Sequence, residues 1–226
     1  VFLAVAVGIC YRTIINGLKA LLSFNASSDS AAAVAAVAVA VQAVAAAFFQ
    51  DDLINGELHL YAVILAATLF LNAAGKLTMI RRIHSNFRFV TSREEKYSVR
   101  LFEDHNTALK MAKDCVSESP VIAYQCRAGF LKRFLELSYK PDPSESASQL
   151  MAPIGLIASL VLCIASLLIT KSVPTAVSAL AAACCASVAV SNMLSVNLPI
   201  SRLCRTARRA GAMVVGSEGV EQLGNV

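Results

Sequence analysis

Residues 150–170 read LMAPIGLIASLVLCIASLLIT, a run without Asp, Glu, Lys or Arg. A helix needs about 20 apolar residues to cross the roughly 30 Å of hydrocarbon in a bilayer, and this run is long enough. It is apolar on every face and rich in Leu and Ile, which favours a lipid-facing helix. The alternative is a buried core helix of a large soluble protein. We predict that residues 150–170 span a membrane.

Three more uncharged runs accompany this one, at residues 31–49, 58–74 and 173–200. Because the four runs form two closely spaced pairs, we predict two transmembrane hairpins. The composition agrees, with 57% hydrophobic residues, 15% charged residues and a mean hydropathy of +0.63. The run 31–49 is mostly Ala and Val, so we expect it to pack closely against 58–74 through small side chains.

The basic residues indicate how the hairpins are oriented. Only Lys171 among the 20 Lys and Arg residues lies outside three segments, which precede the first run, separate the hairpins and follow the last run. The positive-inside rule predicts that these segments are cytoplasmic and that the tips at 50–57 and 171–174 are outside. The residues expected at the membrane surface are Arg12, Lys19, Lys76, Arg81, Arg82, Arg202, Arg205, Arg208 and Arg209.

These features predict an integral protein of the plasma membrane whose main partner is the lipid bilayer. The net charge of +5 comes mainly from residues near the ends of the runs. Basic side chains there contact anionic lipid, so we attribute the charge to lipid rather than to nucleic acid.

The amino-terminal residues predict an amphipathic helix at the membrane surface. Residues 1–11 are apolar but too short to span, so we take them as the end of a helix. Residues 12–24, RTIINGLKALLSF, place apolar side chains on one face and Arg12, Asn16 and Lys19 on the other. Gly17 would permit a kink. The alternative is that residues 1–24 form one span with two snorkelling basic residues.

Residues 81–149 form the predicted soluble insert. Alternating and β-rich patterns predict strands at 87–90, 97–102 and 121–124, with helices at 105–116 and 129–138. The stretch 140–148, KPDPSESAS, is expected to break structure before the next span.

The predicted fold is therefore mainly α, a polytopic helical membrane domain with a small cytoplasmic αβ insert. Its parts are the amphipathic helix and first hairpin (1–80), the insert (81–149), the second hairpin (150–201) and a cytoplasmic exit segment (202–226).

Candidate ion-binding residues lie in the last run. Cys184 and Cys185 carry thiols that suit soft metals, but adjacent helical residues point about 100° apart, so packing is the simpler role. Asn192, Asn197 and Pro199 would mark an unwound helix that exposes carbonyl groups to an ion. The four runs contain no carboxylate, which argues against a proton or hard-cation relay. We predict no catalytic residue and no metal site; the histidines, which are too scattered to form one, are His59, His84 and His105.

The order of elements resembles the membrane part of P-type ATPases, nearest to the heavy-metal-transporting branch. In that family the fourth core helix leaves the membrane through an Ala-Arg-Arg-Gly segment with aliphatic residues after it. An acidic residue and Glu-x-Leu-Gly then follow. The residues in those places here are Ala207-Arg208-Arg209-Ala210-Gly211-Ala212-Met213-Val214-Val215, Ser217-Glu218 and Glu221-Gln222-Leu223-Gly224.

The resemblance implies the membrane domain of an ATP-driven cation transporter. ATP and Mg²⁺ would be used only if a phosphorylation domain follows Val226, and that nucleotide-binding domain would be a cytoplasmic partner. The chain departs from the family pattern in two places. The insert contains no Thr-Gly-Glu, and the position of the family's Cys-Pro-Cys holds Val188, Ala189 and Val190. A degenerate relative, or pseudoenzyme, is one hypothesis. The alternative is a non-catalytic membrane scaffold or interaction protein whose insert binds a cytoplasmic partner.

Overall fold

The computed structural model describes residues 2–54, 56, 58–101, 104–113, 122–129, 133–190 and 193–224. The chain is mainly helical over these residues. The elements in chain order are α1 (Phe2–Ile9), α2 (Tyr11–Leu22), α3 (Ser28–Phe48), α4 (Gln50–Ile54), α5 (Ala62–Val90), β1 (Lys96–Leu101), α6 (His105–Met111), β2 (Ala123–Ala128), α7 (Phe134–Ser138), α8 (Pro143–Thr170), α9 (Val173–Val190), α10 (Met193–Arg209) and α11 (Gly216–Gly224).

Among the described residues, four helical segments are long and apolar enough to cross a membrane: α3, α5, α8 and the stretch Val173–Arg209, which includes α9 and α10. The sequence runs therefore predict these helices correctly. The bent pair α1 and α2 would be a fifth if the two helices form one broken span. Two helices extend beyond their runs. α5 continues to Val90, and α8 already begins at Pro143, so the predicted break at 140–148 is wrong over most of its length. Proline is well suited to the first turn of a helix because its fixed φ matches the helical value.

The centre of the bundle is α3. Its alanines are buried among Leu65 and Leu69 of α5 and Ala181, Cys184 and Cys185 of α9. The sequence predicts α5 as the partner of α3, but α3 also packs against α2, α8 and α9. Small side chains allow close approach on several faces of one helix, and this explains the central position.

The amino-terminal helices α1 and α2 meet at an angle of 71°. Residues 1–24 are therefore not one straight helix. The bend lies at Cys10, between the two helices, and not at Gly17, where a kink would be permitted. Gly17 instead lies in α2 where it touches α3. A Cβ atom at Gly17 would be 2.4 Å from the carbonyl oxygen of Asp29, so only glycine fits this contact.

The insert contains a two-stranded antiparallel sheet of β1 and β2, which pairs Lys96 with Ala128 and Leu101 with Ala123. The strand predicted at 87–90 is wrong, since those residues form the end of α5. The other predicted elements overlap β1, α6, β2 and α7, although their ends at residues 102, 114–116, 121 and 130–132 lie outside the described residues. Helix α7 carries an exposed pair in which the hydrogen bond from Arg133 lowers the pKa of Glu136.

Candidate functional site

A buried carboxylate, Asp29, lies in the first turn of α3. The helix begins here because Ser27 caps it. The Ser27 hydroxyl accepts a hydrogen bond from the Asp29 N–H at 3.3 Å, and the Ser30 hydroxyl accepts one from the Ser27 N–H at 3.0 Å. Asp29 therefore lies inside the candidate span Ser28–Phe48. The sequence runs do not include this carboxylate, because the uncharged run starts at residue 31 whereas the helix starts at Ser28.

Asp29 is bound by two side chains of α5. Asn72 Nδ2 donates to Asp29 Oδ1 at 2.8 Å, and Lys76 Nζ donates to Asp29 Oδ2. Asn72 and Lys76 are four residues apart and so share a face of α5. The Asp29 side chain is 11% exposed and that of Lys76 is 33% exposed. The carboxylate is thus paired with the ammonium group of Lys76 and also accepts a hydrogen bond from the Asn72 amide, at the edge of the apolar bundle.

Helix α2 joins the same group of residues. The Ser30 hydroxyl donates to the carbonyl oxygen of Gly17 at 3.0 Å. We name the set Gly17, Asp29, Ser30, Asn72 and Lys76 the Asp29 cluster. It ties α2, α3 and α5 together by polar contacts.

A second polar group lies where the two hairpins turn. Gln42 is fully buried in α3. Its Nε2 donates to the His59 carbonyl, and its Oε1 accepts from the Tyr61 N–H at 3.2 Å. The His59 N–H donates to the Ser178 hydroxyl of α9 at 3.1 Å. Both hairpin connections therefore lie at one end of the bundle, which we call the tip end; the opposite end is the base end.

The predicted ion-pathway cysteines, Cys184 and Cys185, are buried in α9 within the apolar cluster around α3. Asn197 is also buried, but it lies in α10, where its Nδ2 donates to the Met193 carbonyl at 3.1 Å and its Oδ1 has no hydrogen-bond partner among the described residues. Met193 packs against Gly75 of α5. The structure therefore does not bring Asn197 together with the two cysteines.

The predicted unwinding of the last run is not found at Asn197 and Pro199, since α10 continues through both residues to Arg209. Asn192 lies outside the described residues. In the described part of the chain, no group of three His, Cys, Asp or Glu side chains is placed to hold a metal ion.

Three of the nine residues predicted at the membrane surface lie beside side chains from other parts of the chain. Lys76 pairs with Asp29, Arg82 is buried beside Asp142, and Arg208 Nη1 donates to Asn86 Oδ1 at 2.7 Å. Counting charges along the sequence cannot detect such partners. The six that are exposed are Arg12, Lys19, Arg81, Arg202, Arg205 and Arg209.

The exit segment after α10 is bound to the insert and to α5 at the base end. Asn86 Nδ2 donates to the Val214 carbonyl at 2.9 Å, and Lys140 Nζ donates to Glu218 Oε2 at 2.7 Å. Gly216 has a φ of +70°, and a Cβ atom there would be 2.4 Å from the Leu137 carbonyl oxygen. The exit segment is thus held against α7 by backbone contact as well as by charge.

Sequence reasoning missed Asp29 and Gln42 for different reasons. The Ser27-Ser28-Asp29-Ser30 stretch is a capping signal, and it would have placed the helix start before Asp29. Gln42 is a single polar residue in an apolar run, and its partners lie in the connection to α5. No local sequence pattern indicates those partners.

Comparison with known proteins adds no assignment: no family model, curated protein or solved structure matches this chain. The resemblance to P-type ATPases therefore rests on the order of elements and on residues 207–224.

Proposed function

We propose that this chain is the membrane domain of a P-type ATPase-like cation transporter of the plasma membrane. The observation that carries the proposal is the common direction of its two hairpins. Both turn at the tip end, joined by the His59–Ser178 hydrogen bond, while the insert and the exit segment meet at the base end. In this arrangement the base end would contact a cytoplasmic nucleotide-binding domain, and the tip end would face the outside of the cell.

The charges support the same orientation. Nearly all basic residues belong to segments that precede, separate or follow the hairpins, and these segments lie toward the base end. Gln149 of α8 and Asn25, which precedes α3, also approach there, with 3.4 Å between Gln149 Nε2 and Asn25 Oδ1. By the positive-inside rule the base end is cytoplasmic.

Asn197 is the residue that we assign to the ion. Its Oδ1 is buried and makes no hydrogen bond within the described chain, and amide oxygens are ligands for hard cations. It lies on α10, the helix that leads directly into the exit segment. Movement of a domain attached to the exit segment would therefore be transmitted to Asn197 through α10 alone. ATP and Mg²⁺ would be bound by that attached domain and not by the residues described here.

The experiment is cation-dependent ATP hydrolysis by the native protein that contains this domain, reconstituted in liposomes. Na⁺, K⁺, Mg²⁺, Ca²⁺ and Zn²⁺ are tested one at a time. We expect one cation to stimulate hydrolysis, and we expect Asn197→Ala to abolish the stimulation. The matched control is Asn16→Ala, which changes an exposed asparagine of α2. Stimulation by none of the cations, or equal activity of the two variants, would contradict the proposal.

The second candidate function is a non-catalytic membrane scaffold or pseudoenzyme. It is favoured by the Asp29 cluster, in which Lys76 already occupies one oxygen of the buried carboxylate. An insert without Thr-Gly-Glu also lacks the family's means of dephosphorylation. The ATP hydrolysis experiment separates the two candidates, since a scaffold hydrolyses no ATP with any cation.

A further inference from the structure

Several polar groups at the base end are buried without a hydrogen bond. Within the described residues, Nη1 and Nη2 of Arg82, Oδ2 of Asp142 and the hydroxyls of Ser138 and Ser144 have no partner. The side chains of Arg82 and Asp142 are only 2% and 4% exposed. Arg82 Nη2 lies 3.7 Å from Asp142 Oδ1, which is too far for a hydrogen bond. Buried charges without hydrogen bonds are costly, so these groups require partners.

Both positive and negative groups surround these atoms. Asn86, one turn beyond Arg82 on α5, accepts a hydrogen bond from Arg208, and the carboxylates of this region are those of Asp142 and of Glu145 in the first turn of α8. Asp142 is the N-cap residue of α8 and Ser144 lies in its first turn. The amino terminus of a long helix carries a partial positive charge and favours anions. Four of the five unpartnered atoms can donate hydrogen bonds, and together with the helix terminus they favour an anion as the missing partner.

We propose that Arg82, Ser138, Asp142 and Ser144 bind a singly protonated phosphate group, as in a phosphate monoester or in inorganic phosphate. The guanidinium nitrogens and the serine hydroxyls donate to the phosphate oxygens, as arginine and serine do in other anion sites. Asp142 Oδ2 accepts the proton of the P–OH group. This acceptor distinguishes the ligand from sulfate and from a phosphate diester, neither of which has a proton to donate at neutral pH.

The position of the site allows the phosphate group to come either from a lipid headgroup or from solution. Arg82 lies where α5 leaves its apolar run, and the neighbouring Arg81 is exposed. A headgroup of phosphatidic acid would reach the site from the bilayer, and inorganic phosphate would reach it from water. Ser138 ends α7 and Asp142 precedes α8, so a ligand that binds both would hold the insert against the bundle.

The first measurement is the thermal unfolding of the full chain in phosphatidylcholine nanodiscs. Inorganic phosphate is compared with sulfate at equal ionic strength. The second is native mass spectrometry of the chain from nanodiscs that contain either phosphatidic acid or phosphatidylglycerol. A phosphate-specific rise in the unfolding midpoint identifies free phosphate as a ligand, and selective retention of phosphatidic acid identifies the lipid. Either result supports the site.

Three variants test the assignment to these residues. We expect Arg82→Gln to weaken binding more than about tenfold and Ser144→Ala to weaken it about fivefold. Arg81→Gln removes the same charge from an exposed neighbour and should leave binding unchanged. If Arg82→Gln does not fold, Ser144→Ala alone decides. The proposal is overturned if neither phosphate nor phosphatidic acid is preferred over its control, or if Ser144→Ala and Arg81→Gln bind as the parent chain does.

Discussion

Asp29 shows how one residue at a helix start connects three helices. Its position in the first turn of α3 stabilises the carboxylate through the helix dipole, and Asn72 and Lys76 complete its hydrogen bonds. A buried ion pair contributes little net stability when both partners are present, but removing one partner leaves an uncompensated charge. The cluster therefore specifies how α2, α3 and α5 fit together more than it adds to stability.

Replacing Asp29→Asn should destabilise the folded protein by about 1–3 kcal/mol, because Lys76 then keeps its charge without a carboxylate. The shape of the side chain is almost unchanged, so loss of packing is small. Thermal unfolding in detergent measures the effect. The double variant Asp29→Asn with Lys76→Met should recover most of the loss, since no unpaired charge remains. Additive losses in the double variant would contradict the ion-pair explanation.

Cys184 and Cys185 provide the second prediction at this scale. They are buried among apolar side chains, and their directions diverge along α9. The purified chain should therefore bind Cu(I) or Zn(II) no more tightly than a Cys184→Ser, Cys185→Ser variant. Cys10→Ser, which changes a half-buried thiol outside this cluster, is the control. A stoichiometric site lost only in the double variant would overturn the prediction and favour heavy-metal transport.

At the scale of residues, the sequence shows where the basic residues lie but not what they contact. Lys76, Arg82 and Arg208 have partners in other parts of the chain. Arg82 is the clearest case, since its neighbour Asp142 is separated from it in sequence by the entire sheet of the insert. Only the folded chain brings these two residues together.

At the scale of elements, α5 and α10 lie side by side and run in the same direction. Gly75 touches Met193 and Leu194 near the start of α10, and Asn86 receives a hydrogen bond from Arg208 near its end. Glycine permits the first contact, because a Cβ atom at residue 75 would be 2.7 Å from the Leu194 nitrogen. The two helices are thus fixed by close backbone approach at one point and by a polar contact at another.

Gly75→Ala should force α5 and α10 apart and destabilise the protein by about 1–3 kcal/mol, the usual cost of overpacking. Gly8→Ala is the matched control. Gly8 is also helical but has open space around the position of a Cβ atom, so alanine there should be neutral or stabilising by up to about 1 kcal/mol. Thermal unfolding of the two variants makes the comparison. Equal effects of the two changes would show that the close approach is unimportant.

The long apolar runs predict helices correctly, whereas one short alternating pattern predicts a strand that is not found. Phe87, Arg88 and Phe89 alternate as in a strand, but residues 87–90 continue α5, and Val90 packs with Ile83 and Phe134. Extending an existing helix costs little free energy, because each further residue gains a hydrogen bond without a new nucleation step. Four residues of alternating pattern do not outweigh that continuation.

At the scale of the whole molecule, the two hairpins share one direction through contacts that join them at both ends. His59 binds Ser178 at the tip end, and Gln149 approaches Asn25 at the base end. Gly155 of α8 lies against Ser187 of α9 between these ends, where a Cβ atom at Gly155 would be 2.8 Å from the Ser187 Cβ. The charge pattern alone predicted the shared direction, because orientation depends on a linear count of basic residues. The contacts that fix it required the structure.

The direction of the hairpins leads to a prediction about the whole protein in its membrane. A variant whose only cysteine is the native Cys126 of β2 should not react with a membrane-impermeant maleimide in intact cells. A second variant that lacks all native cysteines and carries Lys171→Cys should react readily, because residue 171 is exposed between α8 and α9 at the tip end.

Permeabilised cells provide the control, since the half-buried Cys126 should then become labelled. The physical reason is the cost of moving the base-end arginines and lysines across the bilayer, which keeps that end in the cytoplasm. Labelling of Cys126 in intact cells at the rate of Lys171→Cys would contradict the proposed orientation, and with it the assignment of the base end to a cytoplasmic nucleotide-binding domain.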